Sequence, residues 1–145
     1  MSDLHVLCKI ADAEYVLPAA DVVQMESFSG ATKVPGAASE VAGLIQIRGR
    51  VVPVLDLRVV FGFEPIPPTI DSRVVVMKQG ERTVGLLVDS AREVMKIPAD
   101  DFKPPPPVVA RQTDGLVKAV AQTGSRLLML IDFGKVIGEE QPHGE

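Results

Sequence analysis

Apolar residues fall in short runs along this chain, each closed by glycine, proline or charged residues. Leu4, Val6, Cys8 and Ile10 alternate with His5, Leu7 and Lys9, the two-residue period of a strand. Ala11 to Glu14 turns the chain, and Tyr15 to Leu17 starts a second strand that Pro18 punctuates. Asp21 is placed to cap a short helix or turn carrying Val22, Val23 and Met25. Ser27 to Ser39 is rich in Ser, Gly, Ala, Thr and Pro and reads as a loop. Leu44 to Ile47 and Val51 to Leu55 then flank Arg48-Gly49-Arg50, the pattern of a β-hairpin. Pro53 cannot donate to a ladder, which predicts an edge or a bulge for its strand. Leu57 to Phe61 reads as a helical turn stopped by Gly62, and Glu64 to Pro68 as a connector.

The second half repeats the first. Arg73 to Lys78 and Thr83 to Val88 are strands around a turn at Gln79 to Arg82. Ser90 to Ile97 carries Val94, Met95 and Ile97, and Pro98 to Val108 is a proline-rich loop. Leu116 to Gln122 and Leu127 to Ile131 form a last hairpin around Gly124, and Asp132 to Ile137 a short helix ending at Gly138. Asp56 aligns with Asp132, and Val16 to Asp21 with Val84 to Asp89. A duplicated β unit of at least four strands fits two small barrels, which also remove free strand edges.

At 145 residues the chain is one domain or two very small ones. With five Phe, one Tyr and no Trp, the core must be aliphatic. A net charge of −4 gives no electrostatic case for nucleic acid. The single Cys8 excludes an internal disulfide and reads as a small buried hydrophobe. No charged-then-apolar segment opens the chain, and no apolar run reaches the roughly 18 residues of a membrane helix. A cytoplasmic protein without direct membrane insertion is the expectation.

Candidate chemistry is sparse. His5 and His143 have no metal-ligand spacing, no serine sits in a nucleophile elbow, and glycine-rich nucleotide loops are absent. No metal or cofactor is expected. Asp56, Asp89 and Asp132 each follow an apolar strand and read as caps of the next turn, worth about 0.5–2 kcal/mol each. The run Pro104 to Pro107 reads as a stiff spacer, and Asp100-Asp101 and Glu139-Glu140 as solvated surface. Arg48 either caps a carbonyl or pairs with a carboxylate such as Glu26 or Glu40, or anchors a protein interface. The two roles are compatible, because a guanidinium held on one side still has donors to offer.

The string Gly43-Leu-Ile-Gln-Ile-Arg48-Gly49-Arg-Val-Val-Pro53-Val-Leu-Asp56-Leu57-Arg58 resembles the signature hairpin of the CheW-like chemotaxis coupling family. Val84-Gly-Leu-Leu-Val-Asp89 and Leu127 to Asp132 agree with it, and the likeness covers roughly residues 4 to 138. The resemblance implies a mostly β fold of two small SH3-like five-stranded β-barrels with short helices. Residues 1–145 then form a single CheW-like domain, with 4–68 and 72–138 approximately the two barrel halves and 139–145 a flexible tail. It also implies a non-enzymatic adaptor between the cytoplasmic hairpin tip of a chemoreceptor and the regulatory domain of a CheA-type histidine kinase, working at receptor arrays. Such an adaptor is expected to be monomeric in isolation, with self-association in arrays left open. By position, Val23, Gly43, Arg48 and Gly49 match the receptor-side groove. Gln46 stands where the family often has Asn, and Met25 where it usually has an acid, with Glu26 one position along. Those departures keep a second reading in view, a specialised CheW-like scaffold in an accessory or non-chemotaxis pathway. An enzyme would need a pocket of convergent polar groups, for which the sequence offers no candidate.

Overall fold

The structure, a computed structural model, describes residues 3–138. Eleven strands run in chain order: β1 (Leu4–Ile10), β2 (Ala13–Pro18), β3 (Val22–Ser27), β4 (Val41–Ile47), β5 (Arg50–Asp56), β6 (Arg73–Gln79), β7 (Arg82–Val88), β8 (Ser90–Lys96), β9 (Phe102–Lys103), β10 (Val117–Thr123) and β11 (Arg126–Ile131). Three short helices follow β5, β9 and β11: α1 (Leu57–Val60), α2 (Pro107–Gln112) and α3 (Phe133–Ile137). The strands form a six-stranded sheet, β8-β1-β2-β11-β10-β9, and a five-stranded sheet, β3-β6-β7-β5-β4. The architecture is mostly β, as expected, with a sixth strand, the two-residue β9, added to one sheet.

The sheets do not divide the chain at 68–72. Each takes two strands from one sequence repeat and the rest from the other. Exchanging the repeats maps β8-β1-β2-β11-β10 onto β3-β6-β7-β5-β4, and each sheet carries one parallel pair at the matching place, β2 with β11 and β5 with β7. The cause is at the corners. Only Ala19–Asp21, a single 3-10 turn, separates β2 from β3, and only Asp89 separates β7 from β8. Such links do not fold a strand back beside its predecessor, so β3 and β8 run on into the opposite sheet. The expected halves 4–68 and 72–138 are therefore sequence repeats and not barrels.

The core follows the same interleaving. One apolar cluster is shared between the sheets, with Ile10, Tyr15 and Leu17 from the first meeting Val75, Met77 and Leu86 from the second, and Leu57 and Phe133 closing it. Smaller clusters are private to each sheet, around Leu128 and Val16 in one and Val54 and Val74 in the other. Fully burying a Leu or Ile contributes about 1.5–3 kcal/mol, so the shared cluster binds the sheets into one folding unit.

Several local expectations are revised. Val22 to Ser27 is a strand and not a capped helix, because its β-branched start pairs along β6 from Met77 to Arg73. A helix, α2, lies at the end of the proline-rich segment. Pro107 occupies its first turn, where a missing N–H does no harm. Pro53 sits in an interior strand. Leu44 opposite it turns its N–H and C=O away from β5, and the parallel ladder to β7 begins one residue later at Val54. Neither neighbour therefore requires a donor from Pro53. Asp56 and Asp132 do cap α1 and α3, accepting the N–H groups of Arg58 and Lys135 at 3.0 and 3.2 Å. Asp89 caps nothing. It lies between two strands and binds Arg58 and Ala11. The segment 139–145, expected to be a flexible tail, and His143 lie outside the described residues.

Candidate protein-binding site

The β4–β5 hairpin turns through Arg48 and Gly49, with Ile47 and Arg50 as the last cross-strand pair. Both turn residues have positive φ, 51° and 78°, the requirement of a two-residue turn that matches the right-handed strand twist. Glycine meets it at Gly49 without steric cost, whereas Arg48 is held in a conformation that disfavours a Cβ. The turn lifts Arg48 into solvent, where it makes no hydrogen bond or ion pair among the described residues. Neither carboxylate offered by the sequence reaches it. Glu26 takes a short hydrogen bond from Gln24 on its own strand, and the Glu40 carbonyl accepts the Asp56 N–H at 2.7 Å.

Gly43 has a different task. It is buried at a bulge of β4, with φ 145°, beneath the loop that joins β3 to β4. Thr32 of that loop bridges Leu44 through two backbone hydrogen bonds of 2.9 and 2.8 Å. A Cβ on Gly43 would meet the Thr32 carbonyl oxygen at 2.4 Å. Gly43 thus lets the loop lie against the strand and offers no surface of its own. A groove of about 540 Å³ opens where this loop parts from β4, between Glu26 to Thr32 on one wall and Leu44 to Ile47 on the other. Gln46, two residues after Leu44 on β4, is among the residues of that wall.

Val23 lies on β3, at the opposite edge of the same sheet, as the extra residue of a bulge between Val22 and Gln24. It is 54% exposed, and Met25 two residues on is 40% exposed on the same face. Arg48 and Gly49 are neighbours at the tip, Gly43 lies beneath the loop, and Val23 is on a separate edge strand. None of the four lines the groove itself. Two further exposed apolar residues are Met25, which the sequence reading placed on a short helix or turn, and, beside the tip, Val51 at 65% exposure, which it passed over. Reading 22–27 as a strand would have exposed the first through its alternation.

Nothing in this region resembles catalytic machinery. Burial pushes the Asp56 carboxyl above its ordinary value, with the Arg58 and Val59 N–H groups opposing the shift, but that carboxyl is occupied as a helix cap. Among the described residues no cluster of His, Cys, Asp and Glu could hold a metal ion, and no helix is long and apolar enough to cross a membrane.

The CheW-like domain family matches residues 5–141. This chain belongs to that family. The CheW chemotaxis protein of Bacillus subtilis is 29% identical over 127 residues, 88% of this chain and 81% of that one. The CheW of Klebsiella aerogenes is 25% identical over 132 residues, 91% of this chain and 80% of the relative. The crystal structure of the scaffolding protein TtCheW from Thermoanaerobacter tengcongensis superposes with a TM-score of 0.85 at 29% identity, covering 96% of this chain and 90% of that one. The CheW family is one of non-enzymatic scaffold and adaptor proteins.

Proposed function

We propose that this chain is a non-enzymatic adaptor of chemotaxis signalling that couples the cytoplasmic hairpin tip of a chemoreceptor to a CheA-type histidine kinase. The observation that carries the reading is the match to CheW proteins over nearly the whole chain, in sequence and in fold alike. An adaptor needs two partner faces held on one body, and the core shared between the sheets supports such a body. The receptor tip takes the side that carries Val23, Arg48 and Gly49. Arg48, with no partner among the described residues, offers its fork of donors to a carboxylate or to helix-end carbonyls. Exposed Val23 and Met25 supply apolar contact from β3, the opposite edge strand of the same sheet. Gly43 contributes by shaping the loop and not by touching the partner. The kinase's regulatory domain takes an apolar strand face elsewhere on the molecule. The protein works in the cytoplasm at receptor arrays and is monomeric until it meets its partners.

Co-sedimentation tests this. Receptor-bearing membranes are mixed with the kinase, with and without the protein, and pelleted. The expected result is kinase in the pellet only when the protein is present. If the protein binds kinase but never carries it to receptor membranes, the coupling role is refuted and the chain serves another pathway.

A further inference from the structure

The two sheets meet along two seams that the internal repeat relates to each other, and they are tied differently. At the first, β7 passes into β8 through Asp89. Its N–H donates to the Lys9 carbonyl at 3.0 Å, and its Oδ2 accepts the Ala11 N–H at 2.8 Å. Both belong to the β1–β2 hairpin of the six-stranded sheet. Its Oδ1 accepts Nε–H of Arg58 at 3.0 Å, from α1, which extends the five-stranded sheet. The two side chains are only 20% and 21% exposed, so solvent screens the ion pair less than it would at the open surface. One carboxylate therefore spends its two oxygens on two different sheets.

The second seam lacks this device. Asp21, which the repeat aligns with Asp89, makes no side-chain hydrogen bond or ion pair among the described residues. Gly134 stands where the first repeat has Arg58. Here the tie is Arg82, whose guanidinium donates to the carbonyls of Gly138 and Ile137 at 2.6 and 3.1 Å. The first seam also borders a cleft of about 540 Å³ between Ala11, Asp89 and Arg92 on one side and the connector on the other, crossed only near the surface by an exposed Arg92–Asp71 ion pair, which solvent screens more than it does the Arg58–Asp89 pair.

We propose that Asp89 is a positioning residue that fixes the angle between the two sheets, and with it the placement of the receptor-side face relative to the kinase-side face. The functional half of this rests on the adaptor reading above; the structural half does not. Without the carboxylate, the strand ladders and the shared core still hold the chain folded, but Arg58 keeps only its bond to the Glu64 carbonyl and the Ala11 N–H loses its link to α1.

Residual dipolar couplings of the weakly aligned, full-length protein test the structural half. In the wild type, amides of both sheets fit one alignment tensor. In Asp89→Ala, each sheet keeps its internal fit but the two tensors diverge. Arg58→Met removes the arm to the five-stranded sheet, along with the exposed Arg58 bond to the Glu64 carbonyl, and decides the matter if Asp89→Ala does not fold. One tensor fitting both sheets in a folded variant overturns the proposal. In kinase assays with receptor membranes, Asp89→Ala lowers receptor-dependent activity roughly fivefold or more, a typical coupling magnitude, while affinity for the kinase alone is unchanged. Diverged tensors with undiminished coupling overturn the functional half. If the wild type itself shows no receptor-dependent activity, the adaptor reading fails, and the dipolar couplings still decide whether Asp89 fixes the angle.

Discussion

Gly43→Ala is expected to destabilise the protein far more than its one added methyl group suggests. The new Cβ would lie 2.4 Å from the Thr32 carbonyl oxygen, 2.9 Å from its carbon and 3.0 Å from the Ala31 Cβ. Two of these atoms are backbone, so no side chain can swing aside to make room. The loop must lift from β4, and the two Thr32–Leu44 hydrogen bonds go with it, at about 0.5–1.5 kcal/mol each. In addition, an alanine at the β4 bulge must hold φ near 145°, a strain of about 1–3 kcal/mol. Together these give a loss of about 2–6 kcal/mol. At about 2–4 °C per kcal/mol for a chain of this size, the midpoint falls by roughly 4–24 °C. Gly49→Ala is the internal control. Its φ is also positive, but an added Cβ meets nothing within 4 Å, so only the left-handed backbone cost of about 1–2 kcal/mol remains. Urea unfolding followed by circular dichroism measures both, with the slopes checked for a common unfolded state. If Gly43→Ala is no less stable than Gly49→Ala, the loop does not lie on Gly43 and the groove is wrongly drawn.

Arg48→Gly separates binding from folding, because glycine relieves the positive φ while deleting the guanidinium. The melting temperature should hold or rise while receptor binding falls; a lower melting temperature with binding intact would make Arg48 a fold residue. Burial pushes the Cys8 thiol up to about 12, so a disulfide reagent at neutral pH should label it only after unfolding. Labelling of the native protein at the rate of a free thiol would place Cys8 outside the core. The Arg126 guanidinium holds the Glu14 carboxyl below its ordinary value of 4.5, through hydrogen bonds of 3.1 and 3.0 Å. A lowered pKa means the ionised form favours the fold, so this contribution is present above about pH 4.5 and is lost as pH falls through the folded value. Arg126→Met should therefore flatten the acid side of the stability curve, an effect that high salt reduces in the wild type; an unchanged acid limb would remove Glu14 from the account.

Hairpins and caps were legible because their signals are local. Alternation from Leu4 to Ile10, the glycine turns and the aspartates before Leu57 and Phe133 each act over a few residues, and each appears where the pattern placed it. The strand at Val22 to Ser27 was not legible, since a six-residue piece after Asp21 suits a helix or a strand until β6 pairs with it. The helix α2 was hidden by the prolines before it. Which strands share a sheet was out of reach, because the corners at Ala19–Asp21 and Asp89 redirect strands that the repeat makes look self-contained. At the candidate site, Arg48 and Gly49 announced themselves as a turn. Gly43 did not reveal its role, which depends on Thr32 crossing above it, and the tie at Asp89 joins residues 31 and 78 positions apart.

The coupling role itself is tested most directly by autophosphorylation of a CheA-type kinase from the same cell, measured with receptor membranes in the presence and absence of this protein. Kinase activity should come under receptor control only when the protein is added. Receptor control without the protein, or its absence at saturating protein that demonstrably binds the kinase, would contradict the adaptor assignment.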